Sequence, residues 1–255
     1  MDVKTTSTNP STLSKPTPSP NPPTSDKPSR ILVKTTLPLL GIDVLAKPII
    51  SERLIIRPFA VSDFLAFHSL HIQPEPMALG FFGGCQPSSD LCKSFRQFTQ
   101  VLRPWDSGLF FAILTRKPDG EEEDDYIGEF TLFAGDNWPV ISFKFKKETW
   151  GNGYATEALN AFAQFWWSLP RATHHYRIKP DEMIKNTQIA PIDQPEALEI
   201  LRAEIEPFNR ASQRVLEKVG FEKYGEEDHE NNIKSVKFRL LRPQSSIQSI
   251  RGEFK

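Results

Sequence analysis

Apolar residues in this chain fall into short segments of two periods, and the way those periods alternate predicts a layered fold. Leu54 to Arg57 reads as a strand. Ser62 and Asp63 then offer a cap to a helix whose apolar positions Phe64, Phe67 and Leu70 follow helical spacing. A second helix is expected from Asp90 to Leu102. Two strands follow, Phe110 to Arg116 and Tyr126 to Phe133, joined by an acidic run, Glu121 to Asp125, that reads as a solvated hairpin tip. Ile141, Phe143 and Phe145 alternate with Ser142, Lys144 and Lys146, the mark of a half-buried strand. From Ala155 the apolar residues Ala158, Leu159, Phe162 and Trp166 share one helix face, with Trp167 at its rim. Leu201, Ala203 and Ile205 alternate again. Phe208, Ala211, Val215 and Val219 predict another helix, ended by Gly220 as a left-handed cap. Ile233 to Leu241 supplies a last strand. The sum is an α+β (mixed α/β) sandwich around one sheet.

Several stretches carry no such period. Residues 1–30 are rich in Pro, Ser and Thr and offer nothing to bury, so they are expected to be a disordered tail of polyproline character. A polyproline-binding partner or a phosphate on Ser19 would find its site there; the plainer expectation is a solvated tail. Residues 31–48 read as a linker, 49–243 as the folded domain, and 244–255 as a C-terminal tail. Within the domain, 171–197 fits neither period and reads as a loop insertion, either a lid that sets specificity or surface decoration. The apolar run from Ile31 to Ile50 is broken by Lys34, Pro38, Asp43, Lys47 and Pro48, which argues against a membrane span.

Composition narrows the class. A hydrophobic fraction of 38% over 255 residues suffices for a core, and a net charge of −1 argues against nucleic acid as the default partner. Cys85 and Cys92 match no common metal or redox spacing and read as reduced thiols, which places the chain in the cytoplasm or nucleus with no metal expected. Monomer and homodimer both remain open.

Chemistry concentrates in two segments. Trp150-Gly151-Asn152-Gly153-Tyr154-Ala155-Thr156 follows a strand and opens a helix. Glycines there allow close backbone approach, and the first helical turn presents free N–H groups to an anion. Farther on stands Asn209-Arg210-Ala211-Ser212, closed by Gly220-Phe221. Together with Ser51-Glu52-Arg53-Leu54-Ile55-Ile56-Arg57-Pro58, these segments resemble the GNAT superfamily of acyl-CoA-dependent N-acyltransferases, in particular the branch of bacterial ribosomal-protein N-terminal acetyltransferases. The resemblance covers about residues 49 to 241. Gly153 and Ala155 fit the family's Gln/Arg-x-x-Gly-x-Gly/Ala turn, and Trp150 replaces its first residue.

The resemblance implies a GNAT-like fold, with one central, mostly antiparallel twisted sheet, a splayed parallel strand pair, and flanking helices. It implies acetyl-CoA as co-substrate, an amine as acceptor (a protein N-terminus or a small amine), and direct attack in a ternary complex. Phe143, Phe145 and Lys146 would line the pantetheine, with a backbone N–H near Phe145 polarising the thioester carbonyl. The amides of Gly151, Asn152, Gly153, Tyr154, Ala155 and Thr156, behind Trp150, would hold the pyrophosphate. Asn209 would reach the pantetheine arm, where the residues alone equally suggest a helix cap, and Ser212 is a candidate proton donor to the leaving sulfur. Two departures weaken this mechanism. Leu216 stands where many relatives carry a catalytic Tyr, and Val140 where many carry a strand Glu. The remaining carboxylates are Glu129 and the pair Glu204 and Glu206 on one strand face; Glu129 and Glu204 are carried as candidate bases, with His174 and His175 as weaker ones. The alternative reading is a non-catalytic acyl-CoA-binding module.

Overall fold

A computed structural model describes residues 30–40, 47–79, 89–102, 108–117, 122–133, 138–183, 195–229 and 234–243. The expectations for residues 1–29, for 244–255 and for Cys85 fall outside them. Among the described residues, eight strands form one sheet: β2 (Ile49–Ile50), β3 (Leu54–Pro58), β4 (Leu109–Arg116), β5 (Glu123–Phe133), β6 (Val140–Phe145), β8 (Ile200–Ile205), β10 (Lys234–Leu241) and β9 (Glu222–Asp228), in that spatial order. Every neighbouring pair is antiparallel except β6 and β8. Five α-helices accompany them: α1 (Phe64–His71), α2 (Pro74–Ala78), α3 (Leu91–Val101), α4 (Tyr154–Ser168) and α5 (Arg210–Val219).

The strand alternation decides which layer each side chain joins. Phe111, Ile113, Phe130, Ile141, Leu201 and Ala203 face α4, whose Leu159, Phe162 and Trp166 complete the main core. Ala112, Leu114 and Tyr126 face the other way and pack with Leu70 of α1. Phe59 packs edge to face on both Phe67 of α1 and Phe98 of α3, which meet each other at a tilt. At about 25 cal/mol per Å² of apolar surface, these two layers supply the main drive for folding.

Two expectations change. The stretch read as a linker contains β1 (Ile31–Pro38), and the stretch read as an irregular insertion contains β7 (Arg171–Ile178); the two pair antiparallel as a separate small sheet. Val33 and Ile178 from this sheet pack with Trp138, Ala197 and Ile200 as a second apolar cluster. The pattern hid it because Thr173, His174 and His175 point to solvent and leave no run of alternation. The apolar stripe assigned to α5 also differs. Leu216 and Gln213 are buried there, Val215 is half-buried, Ala211 is exposed, and Phe208, just before the helix, is largely exposed. The described part of the acidic run, Glu122 to Asp125, is exposed, although from Glu123 it belongs to β5, and Glu123 pairs there with Arg57 at 2.5 Å. Among the described residues no helix is long and apolar enough to cross a membrane.

Candidate active site

The sheet is interrupted functionally at its one parallel junction. Val140 pairs with Arg202, held by the Arg202 N–H on the Pro139 carbonyl at 2.8 Å, and among the described residues this is the single pairing of β6 with β8. Past it the strands separate, and Phe143 and Phe145 on one side face Glu204 and Ile205 on the other across a cleft of about 450 Å³. The Lys146 N–H bonds to the Ile127 carbonyl on β5, so alternation turns the N–H and C=O of Phe145 and Phe143 away from β5, toward the cleft. The indole N–H of Trp150 takes the Phe145 carbonyl at 2.9 Å and so fixes the turn to the end of the strand.

That turn is built to leave space. Gly151 and Gly153 have φ of +79° and +81°, a region L side chains seldom adopt. A Cβ on Gly151 would meet no atom within 4 Å, and one on Gly153 only the Arg53 guanidinium at 3.6 Å. The glycines therefore serve the backbone conformation and an open concavity, not internal packing. Gly153 caps α4 without any side-chain hydrogen bond, so the opening N–H groups of the helix are left for an anion. Arg53, from the Ser51–Pro58 segment, braces the turn from behind. It bonds the Asn152 carbonyl at 3.2 Å, pairs with Glu157 at 2.7 Å and lies over the Tyr154 ring at 4.6 Å. The same Glu157 accepts from Ser51 at 2.8 Å, which ties the third sequence motif to the first.

The second motif closes the cleft. Asn209 caps α5, its Oδ1 accepting from the Ser212 N–H at 3.1 Å, so the capping role of this residue is real. It also lines the cleft, and its amide nitrogen has no partner among the described residues. Ser212 lines the same wall with a hydroxyl likewise unpaired. Leu216 is fully buried in the core and takes no part in the cleft.

Of the residues expected to hold the cofactor, Phe143, Phe145, Trp150, Gly151, Gly153, Tyr154, Ala155, Thr156, Asn209 and Ser212 border this one cleft. Lys146 and Asn152 flank it; Asn152 bonds through Nδ2 to the carbonyls of Thr149 and Trp150 and shapes the turn from within. The acid–base candidates separate more sharply. Glu129 does not border the cleft. It is buried beside α1, bonded by His71 through both oxygens at 3.1 Å, by the Tyr126 hydroxyl at 3.3 Å, and paired with Lys144 at 3.6 Å. Burial alone would raise its pKa, but the His71 and Lys144 charges and these hydrogen bonds outweigh it and hold the carboxyl at about 2. Glu204 borders the cleft, yet its carboxylate is engaged by Arg202 and lies near Ser235 at 3.4 Å and His229 at 3.6 Å. His174 and His175 stand exposed on β7, away from it. Glu206, one residue past β8, is only 4% exposed, borders the cleft, and has an Oε1 with no partner. Strand parity placed it beside Glu204 in the sequence, but its isolation from cations shows only in three dimensions. Among the described residues no cluster of three or more His, Cys, Asp or Glu side chains is placed to hold a metal.

Comparison with known proteins fits this geometry. The family model described as "Acetyltransferase (GNAT) domain" matches residues 53–222. A comparison with curated proteins finds no match. Among solved structures, a GNAT-family acetyltransferase from Bacillus anthracis superposes with a TM-score of 0.52 at 19% identity, over 77% of this chain and 99% of that one. Spermidine N-acetyltransferase from Vibrio cholerae, in complex with CoA and spermine, gives 0.53 at 12% identity over 77% and 99%. RimL, a ribosomal L7/L12 α-N-protein acetyltransferase in complex with coenzyme A, gives 0.53 at 12% over 76% and 98%. At such identities the superpositions speak to fold alone. The family match spans more than half of the sequence and contains both the glycine turn and the Asn209 helix that the fold brings to one cleft, and on that ground the chain belongs to the GNAT acetyltransferase family and is an acyltransferase.

Proposed function

We propose that this protein transfers an acetyl group from acetyl-CoA to a primary amine, with both substrates held together in the cleft between β6 and β8. The observation that carries the reading is the pairing of a splayed strand edge with an uncapped glycine turn at its end. The strand edge offers the N–H groups of Phe143 and Phe145 and the C=O of Phe143 to an extended amide-bearing chain, much as a sheet accepts an added strand. The turn offers backbone N–H groups from Gly151 to Thr156 to a pyrophosphate, at a distance along the same groove. A donor N–H on β6 can polarise the thioester carbonyl as charge develops on its oxygen. Coenzyme A thiolate is a good leaving group, so Ser212 or solvent suffices to protonate it, and the burial of Leu216 removes no essential acid.

The competing reading, an acyl-CoA-binding module without turnover, draws on the same Leu216 and on the commitment of Glu129 and Glu204 to internal partners. The deciding experiment measures acetyl-CoA binding by calorimetry and turnover against spermine, peptides with free N-termini and small alkylamines. Turnover with any of them supports the enzyme. Binding without turnover across the set gives the module.

A further inference from the structure

We infer that Glu206 is the catalytic base of this cleft, taking a proton from the ammonium group of the acceptor. The inference rests on the acetyl-transfer reading above and assigns a role that neither Glu129 nor Glu204 can fill.

A base for an amine must reach the substrate and must not be spent on a cation of the protein. Glu206 meets both conditions. Its side chain borders the cleft while lying almost wholly out of water, and its Oε1 finds no hydrogen-bond partner. No cation pairs with it among the described residues. Lys144, on the facing strand, is drawn to Glu129 at 3.6 Å; Arg202, on the strand that ends just before Glu206, is engaged by Glu182 at 3.0 Å and by Glu204. The other charged groups bordering the cleft are Glu204, whose charge is met by Arg202, and Arg214 and Lys218 along α5; α2 and its C-cap contribute only Pro76 and Leu79. A buried carboxylate with one oxygen left unpaired is costly, so its presence asks for a ligand that supplies the missing donor. A primary ammonium is such a ligand.

The backbone holds this carboxylate in place. The Glu206 carbonyl accepts from the Asn209 N–H at 3.0 Å and from the buried Gln213 side chain at 3.2 Å, and Gln213 also bonds the Pro207 carbonyl at 3.0 Å. Residue 206 is thereby locked to the turn that positions Asn209 and Ser212, two polar groups on its own side of the cleft. Burial pushes the Glu206 carboxyl above the usual carboxylate range, opposed only by its own backbone N–H. A base of raised affinity for protons is better matched to an ammonium than an ordinary surface carboxylate.

The step balances simply. One ammonium proton passes to the Glu206 carboxylate, and the freed nitrogen attacks the thioester carbonyl carbon. The C–N bond forms, the C–S bond breaks, and a second proton from that nitrogen leaves with the sulfur as the thiol. Glu206 then returns its proton to solvent.

The test compares the full chain with its Glu206→Gln variant on two acceptors, spermine, which is cationic at neutral pH, and methoxyamine, which is not. Acetyl-CoA affinity is measured in parallel by calorimetry. With spermine at neutral pH the variant is expected to lose roughly a hundredfold to ten-thousandfold in kcat, whereas with methoxyamine the loss is expected to stay under about tenfold. Acetyl-CoA affinity should move by less than about threefold. An equal loss on both acceptors, an undiminished rate with spermine, or a variant that no longer binds acetyl-CoA would each overturn the assignment. A wild-type protein that binds acetyl-CoA and acetylates none of spermine, methoxyamine, peptides with free N-termini and small alkylamines would overturn the acetyl-transfer reading itself, and is recognised because the failure precedes any substitution.

Discussion

Glu129 and Glu206 are both carboxylates removed from water, and their partners give them opposite consequences. Glu129 is held at about 2 against an ordinary value of 4.5, because the His71 and Lys144 charges and the His71 and Tyr126 hydrogen bonds more than offset its burial. A folded-state value below the unfolded one stabilises the protein above pH 4.5, and that contribution is lost as the pH falls toward 2. Glu129→Gln leaves Lys144 short of its counter-charge and should cost on the order of 3 kcal/mol in urea unfolding at pH about 5, with the difference from wild type shrinking at pH about 2.5. A constant difference across that range would show that the carboxylate charge is not what stabilises. Glu206 carries the reverse sign. Its folded-state value is raised, so the charged form burdens the folded protein once the pH passes 4.5. Glu206→Gln should therefore raise the melting temperature at neutral pH, and the gain should vanish below about pH 4.5. A variant that melts lower than wild type at pH 7 would mean that the carboxylate has a stabilising partner after all. At this scale only residue type and strand parity were legible beforehand. Glu204 and Glu206 are indistinguishable as alternate residues of one strand, and what separates them is that Arg202 reaches the first and not the second.

Elements were legible where period and punctuation agree. α4 has a glycine start and an unbroken apolar face of Ala158, Leu159, Phe162 and Trp166, and α5 has an Asn cap and a Gly stop. β9 carries Glu222, Lys223, Glu226 and Asp228 on an edge of the sheet, where little is buried and no alternation betrays a strand. α2 is five residues long with two prolines, too short for any period. The glycine turn before α4 gives a prediction of its own. Gly153→Ala imposes a Cβ on a left-handed residue, which costs about 1 kcal/mol, while the Cβ itself meets only the Arg53 guanidinium, at an ordinary 3.6 Å. Its effect on stability should be small and its effect on acetyl-CoA binding about tenfold, because the turn whose amides are assigned to the pyrophosphate must hold this left-handed conformation. Gly153→Asp adds a negative charge to the turn assigned to the pyrophosphate and should weaken binding by more than about a hundredfold. Calorimetric affinities for acetyl-CoA that stay at the wild-type value in both variants would move the anion site elsewhere.

Across the whole molecule, the small sheet of β1 and β7 braces the end of the large one opposite to the glycine turn. Val33 sits with Trp138, Ala197 and Ile200 under it, at 1% exposure. Polar ties run alongside: Thr35 donates to the Ala197 carbonyl at 2.9 Å, Thr36 to Glu199 at 3.3 Å, and Arg242 to Thr36 at 3.2 Å. Arg171, at the start of β7, pairs with buried Glu199 at 3.1 Å. The segment before the first family motif is thus a working part of the fold, which composition could not show, because Lys34, Thr35 and Thr36 interrupt its apolar run. Truncation gives a direct measure of its weight. A chain starting at Arg30 keeps every one of these contacts, whereas a chain starting at Leu39 loses Val33 and the threonine bonds and uncovers Trp138 and Ile200. Burying a single valine is worth roughly 1.5–3 kcal/mol, so the shorter chain should lose several kcal/mol and melt about 10 °C below the longer one. Gly151 to Thr156 and Asn209 make none of these contacts. Acetyl-CoA affinity measured well below the melting temperature should therefore agree within about threefold between the two chains. Equal melting temperatures would reduce β1 to an ornament of the sheet; a collapse of affinity with the fold still intact would mean that the small sheet reaches the cleft, through Arg202 and Glu204, and sets its shape.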